Sequence, residues 1–397
     1  MATVAISPPA SSRAQLAALP ALALYVHIPW CVRKCPYCDF NSHELRGTLD
    51  EQRYLDALLR DLEFALPSVW GRRVHSIFFG GGTPSLLSGG AIERLLSAFR
   101  ALLPLAADCE ITLEANPGVF EAAKFRAYRE AGVNRLSIGV QSFEPRHLKA
   151  LGRIHDADEA RRAIAAAQEQ FDNINLDLMY ALPAQSLAEA RSDVHTARSF
   201  GAAHLSFYQL TIEPNTLFHR FPPPLPDDEA AWAMQEAIES ELSAAGYGHY
   251  EISAWAKAGR QCRHNLNYWC FGDYLGIGAG AHSKISFSDR IVRQMRAKHP
   301  GEYMRRAADG APVQEEHEVP AKDLAFEFMM NALRLSEGFP VPLFAERTGL
   351  PITAAGKALA EAEARGLIAR DHARVRATEL GRRFLNDLLQ IFLPGQK

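Results

Sequence analysis

Cys31, Cys35 and Cys38 stand at spacings of four and three in the stretch HIPWCVRKCPYCDF, residues 27–40, directly after an apolar run. Three thiolates on one short loop favour zinc or an iron–sulfur cluster over harder cations. Structural zinc asks for four protein ligands, and His27 or His43 stands near enough in sequence to supply the fourth. A cubane of four irons held by three thiolates leaves one iron open to an outside ligand, which accounts for an odd number of cysteines. A disulfide is disfavoured in a reducing cytosol. Incidental burial fits poorly with Arg33, Lys34 and Asp39 set among the thiols.

Such a loop needs a scaffold, and the chain supplies a repeating one. Short runs rich in β-branched and aromatic residues recur at 22–28, 74–80, 110–115, 134–139, 174–180 and 204–210. Between them lie longer segments, such as GAIERLLSAFRALL and ADEARRAIAAAQEQF, whose apolar residues return every three to four positions as amphipathic helices require. Alternating strand and helix implies right-handed crossovers and a parallel sheet buried on both faces. Six such units are too few for a full eight-stranded barrel, and periodicity alone leaves an open doubly wound sheet and an incomplete barrel both standing. The unusual polar residues collect at the strands' carboxyl ends: the cysteines after the first, GGGTP (80–84) after the second, Glu114 ending the third, Gln141 after the fourth, Asp177 and Tyr208 in the fifth and sixth. α/β folds build their ligand sites at that face, so one site spanning all six units is expected.

The remaining chain divides as follows. With 397 residues and 48% hydrophobic content it can bury a large core. Its 43 Lys and Arg against 46 Asp and Glu give a net charge of −3, so it lacks the basic footprint of a nucleic-acid binder. Residues 1–20 carry a Pro pair and a single Arg, unlike a secretory signal, and read as a mobile leader. No run approaches the roughly 18 apolar residues of a membrane span, so a cytoplasmic protein is expected. The barrel-like unit covers 21–250. Residues 251–319, rich in Gly and aromatics, read as a connecting and covering segment. From 320 to 397, helical patterns with a short V-R-A stretch between them suggest a mostly helical, winged-helix-like domain.

The C-x3-C-x2-C spacing closely resembles that of the radical S-adenosylmethionine family. YVHIPWC, IFFGGGTPSLL, LEANP, RLSIGVQSF, LGRIH and NLDLMYALP narrow the resemblance to its coproporphyrinogen III oxidase-like branch, over residues 22 to about 290. The resemblance implies an α/β fold, a partial (β/α)6 TIM-like barrel, with a 4Fe–4S cluster on Cys31, Cys35 and Cys38 and S-adenosylmethionine chelating its open iron. Carried over residue by residue, it places Tyr25, Tyr37, Gly81, Gly82, Thr83, Glu114, Gln141, Arg153 and Asp177 around S-adenosylmethionine. By themselves these residues have ordinary explanations: a tight turn for the glycines, solvated caps for the carboxylates, a surface cation for Arg153.

The branch contains porphyrinogen oxidases and haem chaperones. The oxidases carry a further cysteine two residues after the triplet, where this chain has Asp39 and Phe40, so oxidase activity is not expected and no catalytic residue is assigned. HNLNYW, residues 264–269, resembles the HNxxYW motif of the chaperones and implies haem held by His264, with Asn265, Tyr268 and Trp269 beside it. Haem iron takes axial histidine, and aromatic rings offer flat apolar surface to a porphyrin. The implied partners are haem as cargo and an apo-haemoprotein acceptor, such as a membrane-bound respiratory one; the sequence does not fix whether the chain forms a homodimer. Cys109, Cys262 and Cys270 read as small buried hydrophobes, and GIGAGAHS (276–283), with His282, as a packing turn near the ligand.

Overall fold

The computed structural model describes residues 15–118 and 123–395. Strands β1 (Leu22–Ile28), β2 (Val74–Gly81), β3 (Leu105–Ala115), β4 (Arg135–Gln141), β5 (Ile174–Tyr180) and β6 (His204–Gln209) fall on the six expected runs. They pair side by side in chain order, every pair parallel. Helices Glu51–Val69, Gly89–Leu102, Phe125–Ala131, Ala157–Gln170 and Leu187–Ser199 fill the crossovers. Their starts are set locally. Ser88 caps Ala91 N–H, and Asp156 with Glu159 and Ser186 with Glu189 form reciprocal capping boxes.

Alternation along each strand sorts residues between two faces. Leu22, Leu24, Val26 and Ile28 enter the main core with Leu55, Leu58 and Leu62 of the first helix, whereas Tyr25 and His27 point to the inner face. The same parity turns Ser76, Phe78, Glu114, Ser137, Asp177 and Tyr208 inward. A single cavity touches the ends of β2 through β6, so the sheet curls about its inner face.

Residues 251–319 do more than connect and cover. A helix, Arg263–Trp269, is followed by strands that extend the sheet beyond β1. With β7 (Gly248–Glu251), β8 (Ala254–Ala256), β9 (Asp273–Ile277), β10 (His282–Ser286), β11 (Ile291–Arg296) and β12 (Val313–Glu318), the order is β12-β11-β10-β9-β1-β2-β3-β4-β5-β6-β8-β7. β9 runs parallel to β1, and β10 to β12 follow antiparallel. These strands are poorly visible in the sequence because their buried charges read as surface. Lys284 Nζ lies 2.8 Å from Asp273 Oδ1, and Arg296 Nη2 3.1 Å from Asp61 Oδ1, all four side chains fully enclosed.

The C-terminal unit places helices Leu324–Ala332, Val341–Thr348 and Gly356–Ala364 beside a small sheet of Phe339–Pro340, Arg374–Ala377 and Ile368–Arg370. Phe328 meets Phe339 and Phe344 edge-on at 4.8 and 5.1 Å. Phe271, Ile291 and Leu16 join this second core. The leader read as mobile is therefore anchored at Leu16, whose N–H donates to Ser288 O; its residues 1–14 lie outside the described residues. Among the described residues, no helix is long and apolar enough to cross a membrane.

Candidate functional site

The cavity at the carboxyl ends of β2 to β6 has a volume of about 400 Å3. Its walls bring together Cys31, Cys35, Cys38, Tyr37, Gly81, Gly82, Thr83, Glu114, Gln141, Arg153 and Asp177, residues spread over almost 150 positions of sequence. Two-residue pairings of Trp30–Cys31 with His43–Glu44 open and close the cysteine loop. Cys38 N–H donates to Cys35 O, making a tight turn. Asn41 fastens the loop from outside: its Nδ2 donates to Ala279 O at 3.0 Å and to Lys298 O at 2.9 Å.

The three thiols are free and half-buried. Burial raises the pKa of Cys31 and Cys38, and the neighbouring thiolates raise both further. Opposing this are the hydroxyls of Thr83 and Ser42, and Lys34 near Cys38. Mutually repelling thiolates in a partly dry loop are relieved by a cationic core, so the donor set fits a metal cluster. Among the described residues no three His, Cys, Asp or Glu side chains are close enough to hold one metal ion. A cubane asks for a different arrangement, thiols set apart with one on each of three irons.

The glycine loop is shaped by its neighbours. Gly81 has φ +114°, and a Cβ there would lie 2.6 Å from the His27 ring; at Gly82 a Cβ would lie 2.6 Å from Trp30 O. Gly82 and Thr83 N–H donate to Ile28 and Trp30 carbonyls at 2.7 Å. Side chains would thus push the loop off the strand that launches the cysteines. Gln141 is the last residue of β4, not the residue after it, and sits at φ +69°. A non-glycine residue in that region stores backbone strain, which tends to occur where a ligand is held.

The carboxylates form the floor. Glu114 is pushed up to about 8 by burial and by the nearby charge of Asp177, while its Oε2 accepts from Gly81 N–H at 3.2 Å. Asp177 is raised by burial although Ser137 Oγ–H and Asn175 Nδ2–H donate to it at 2.7 and 2.8 Å. Glu114 therefore holds a proton near neutral pH, and a cation entering the cavity would convert it to the carboxylate. Arg153 spans the site: Nη2 donates to Asn116 Oδ1 at 2.6 Å and Gly139 O at 2.7 Å, and Nη1 lies 3.8 Å from Cys35 Sγ. Asn116 Nδ2 in turn donates to Thr83 Oγ1. Asn116 and Ser137 escaped the sequence reading; Asn116 stands two residues past Glu114 in LEANP, the one signal that could have found it.

Other expected site residues stand apart. Tyr25 does not line the cavity: its O–H donates to His27 Nδ1 at 3.0 Å, the direction fixed because His27 Nε2–H donates to Asn41 O. His264 is the second residue of the short helix Arg263–Trp269, 4% exposed inside the inner face. Its Nδ1 and Ser76 Oγ share a hydrogen bond of 3.2 Å, and its ring stacks on Phe78 at 4.9 Å. Burial depresses it to about 3, so it is neutral. Tyr268 stacks on Tyr274 at 4.1 Å and Trp269 lies under Arg334, while Asn265 Oδ1 accepts from Cys262 Sγ–H. Cys109 and Cys262 are buried and Cys270 is half-buried.

Comparison with known proteins accords with this geometry. The Radical SAM superfamily matches residues 25–197, and the HemN C-terminal domain matches 319–384. The coproporphyrinogen III oxidase HemN of Escherichia coli superposes with a TM-score of 0.80 at 23% identity, covering 94% of this chain and 90% of that one, which shows the shared fold. Heme chaperone HemW of Escherichia coli is 52% identical over 94% of this chain and 99% of its own. Heme chaperone HemW of Bacillus subtilis is 36% identical over 93% and 98%. With identity sustained across both the cysteine-bearing sheet and the C-terminal unit, the chain belongs to the heme chaperone HemW family of radical SAM proteins.

Proposed function

We propose that this chain carries a 4Fe–4S cluster on Cys31, Cys35 and Cys38 with S-adenosylmethionine on its open iron, binds haem, and passes it to apo-haemoproteins in the cytoplasm or at a respiratory membrane. The observation that carries this reading is the convergence of three free thiols, a side-chain-free loop and a protonated Glu114 on one cavity. When bound, the cluster supplies an electron to the sulfonium. The chain's own residues orient and shield. Gly81 and Gly82 leave room for the methionine end, Glu114 and Asp177 answer its positive charge, Arg153, Gln141 and Tyr37 close the sides, and Tyr25 steadies His27 beneath the loop.

Haem transfer is favoured over porphyrinogen oxidation by Phe40, exposed at the cavity mouth where the oxidases carry a cysteine. In this reading His264 reaches the iron of haem only after helix Arg263–Trp269 withdraws and the bond to Ser76 breaks, with Asn265, Tyr268 and Trp269 moving with it. The test is anaerobic reconstitution with iron and sulfide, then titration of haem into wild type and His264→Ala, with coproporphyrinogen III and a reductant offered in parallel. Stoichiometric haem binding that weakens in the variant, without porphyrinogen loss, supports the proposal. Porphyrinogen turnover, or no haem uptake by the wild type, overturns it.

A further inference from the structure

Beside the cluster cavity lies a second pocket of about 390 Å3, which shares Arg33, Gly152 and Arg153 with it. Its charge is one-sided. Arg33 and Lys149 are exposed, and the side chain of neither forms an ion pair or hydrogen bond with any described residue. Arg153 leaves its buried Nε without a hydrogen-bond partner. The one carboxylate in the lining, Asp156, is spent capping the helix that follows, accepting from Glu159 N–H at 2.8 Å. Three cations against one occupied carboxylate make an anion-binding pocket.

The cluster cavity also carries uncovered apolar side chains. Val32, Phe40 and Ile154 are 50, 61 and 58% exposed and all line the cluster cavity, yet none belongs to the set expected around S-adenosylmethionine. A cluster of large apolar side chains in water marks a contact surface. The carboxylates of the cluster cavity, Asp39, Glu114, Asp177 and Glu213, all stand outside this second pocket. A ligand that is a flat apolar disc with two carboxylates on one edge matches this division.

Resting on the reading that haem is the cargo, we propose that haem first docks across this mouth, its ring on Val32, Phe40 and Ile154 and its propionates in the Arg33–Lys149 pocket. The buried His264 is not the entry point. Haem so placed covers the cluster cavity, and the acceptor meets haem on the cluster face.

The experiment titrates haem and haem dimethyl ester, which lacks the free carboxylates, into the reconstituted full chain. Wild type, Lys149→Glu and Arg33→Glu/Lys149→Glu are compared, with iron content measured for each. Charge-assisted contacts of this kind correspond to about tenfold or more in affinity. Wild type is expected to prefer haem to its ester by that factor, and each variant to lose the preference while still binding ester. Should the double variant lose iron, Lys149→Glu alone decides, because Lys149 lies on a separate helix. Unchanged haem affinity in Lys149→Glu, or equal affinity of wild type for haem and ester, refutes the docking site and leaves the chaperone reading intact. Failure of wild type to bind haem at all removes both.

Discussion

Replacing Arg296 by Met tests how the flanking strands are held to the sheet. Arg296 is fully enclosed, with Nε and Nη2 donating to Asp61 at 3.2 and 3.1 Å and Nη1 to Ser283 Oγ and Gln294 Oε1 at 2.9 Å. Asp61 projects from the first helix, so this cluster ties β11 to the helical layer. Methionine fills similar volume but abandons the carboxylate, and removing one partner of a buried pair costs about 3–5 kcal/mol. Asp61 keeps two donors, Tyr303 O–H at 2.9 Å and Gly278 N–H at 3.2 Å, which places the loss near the lower end, about 3 kcal/mol. That is a large part of a typical total of about 5–15 kcal/mol. Asp61→Asn should lose a comparable amount, and the double variant less than the sum, by about 1–3 kcal/mol, because neither charge then stays stranded. Urea unfolding of the reconstituted chain, followed by far-ultraviolet circular dichroism, measures all three. Additive losses, or a single-variant loss below about 1 kcal/mol, would show that the pair does not carry the tie.

Two further outcomes follow from local geometry. Asp193 is raised to about 6, chiefly by burial, while accepting from Ser142 Oγ–H at 2.7 Å and Phe143 N–H at 2.8 Å. Its folded pKa lies above the unfolded value of about 4, so stability should fall as pH rises from about 4 to 6, by about 3 kcal/mol at most. Asp193→Asn should flatten that slope, and a urea midpoint difference from wild type that is the same at both ends of the window excludes the assignment. Gly280 has φ +77°, and a Cβ there would overlap Asn41 Nδ2. Gly280→Ala should cost about 1–3 kcal/mol and lower the iron retained after reconstitution, whereas full iron content would mean that Asn41 is not needed to set the cysteine loop.

The central parallel strands were legible because each is a continuous apolar run, the mark of burial on both faces. The cysteines were legible because spacing on one loop needs no long-range knowledge. Lost to the sequence were the partners that alternate on the inner face. Ser76, Asn116 and Ser137 are small polar residues whose meaning lies in what stands opposite them. The strands of residues 273–318 were lost for a related reason. Lys284 and Arg296 look like surface, and only the fold supplies the carboxylates that let them be interior. Val313–Glu318 is almost wholly exposed on the sheet edge, where charge guards against further pairing and erases the apolar signal. His264 was found by its motif, but its burial against Ser76 and Phe78 could not be foreseen, since nothing local says that a seven-residue helix tucks under the sheet.

Asn41 couples the cysteine loop to distant parts of the chain. One side chain clasps the cysteine loop to backbone carbonyls more than two hundred residues downstream, and the backbone carbonyl of Asn41 accepts a hydrogen bond from His27 Nε2–H on the first strand. A disturbance of the cysteine loop is therefore not confined there. A loop that slackened would release the carbonyls of Ala279 and Lys298, which bracket β10 and β11, in the same event.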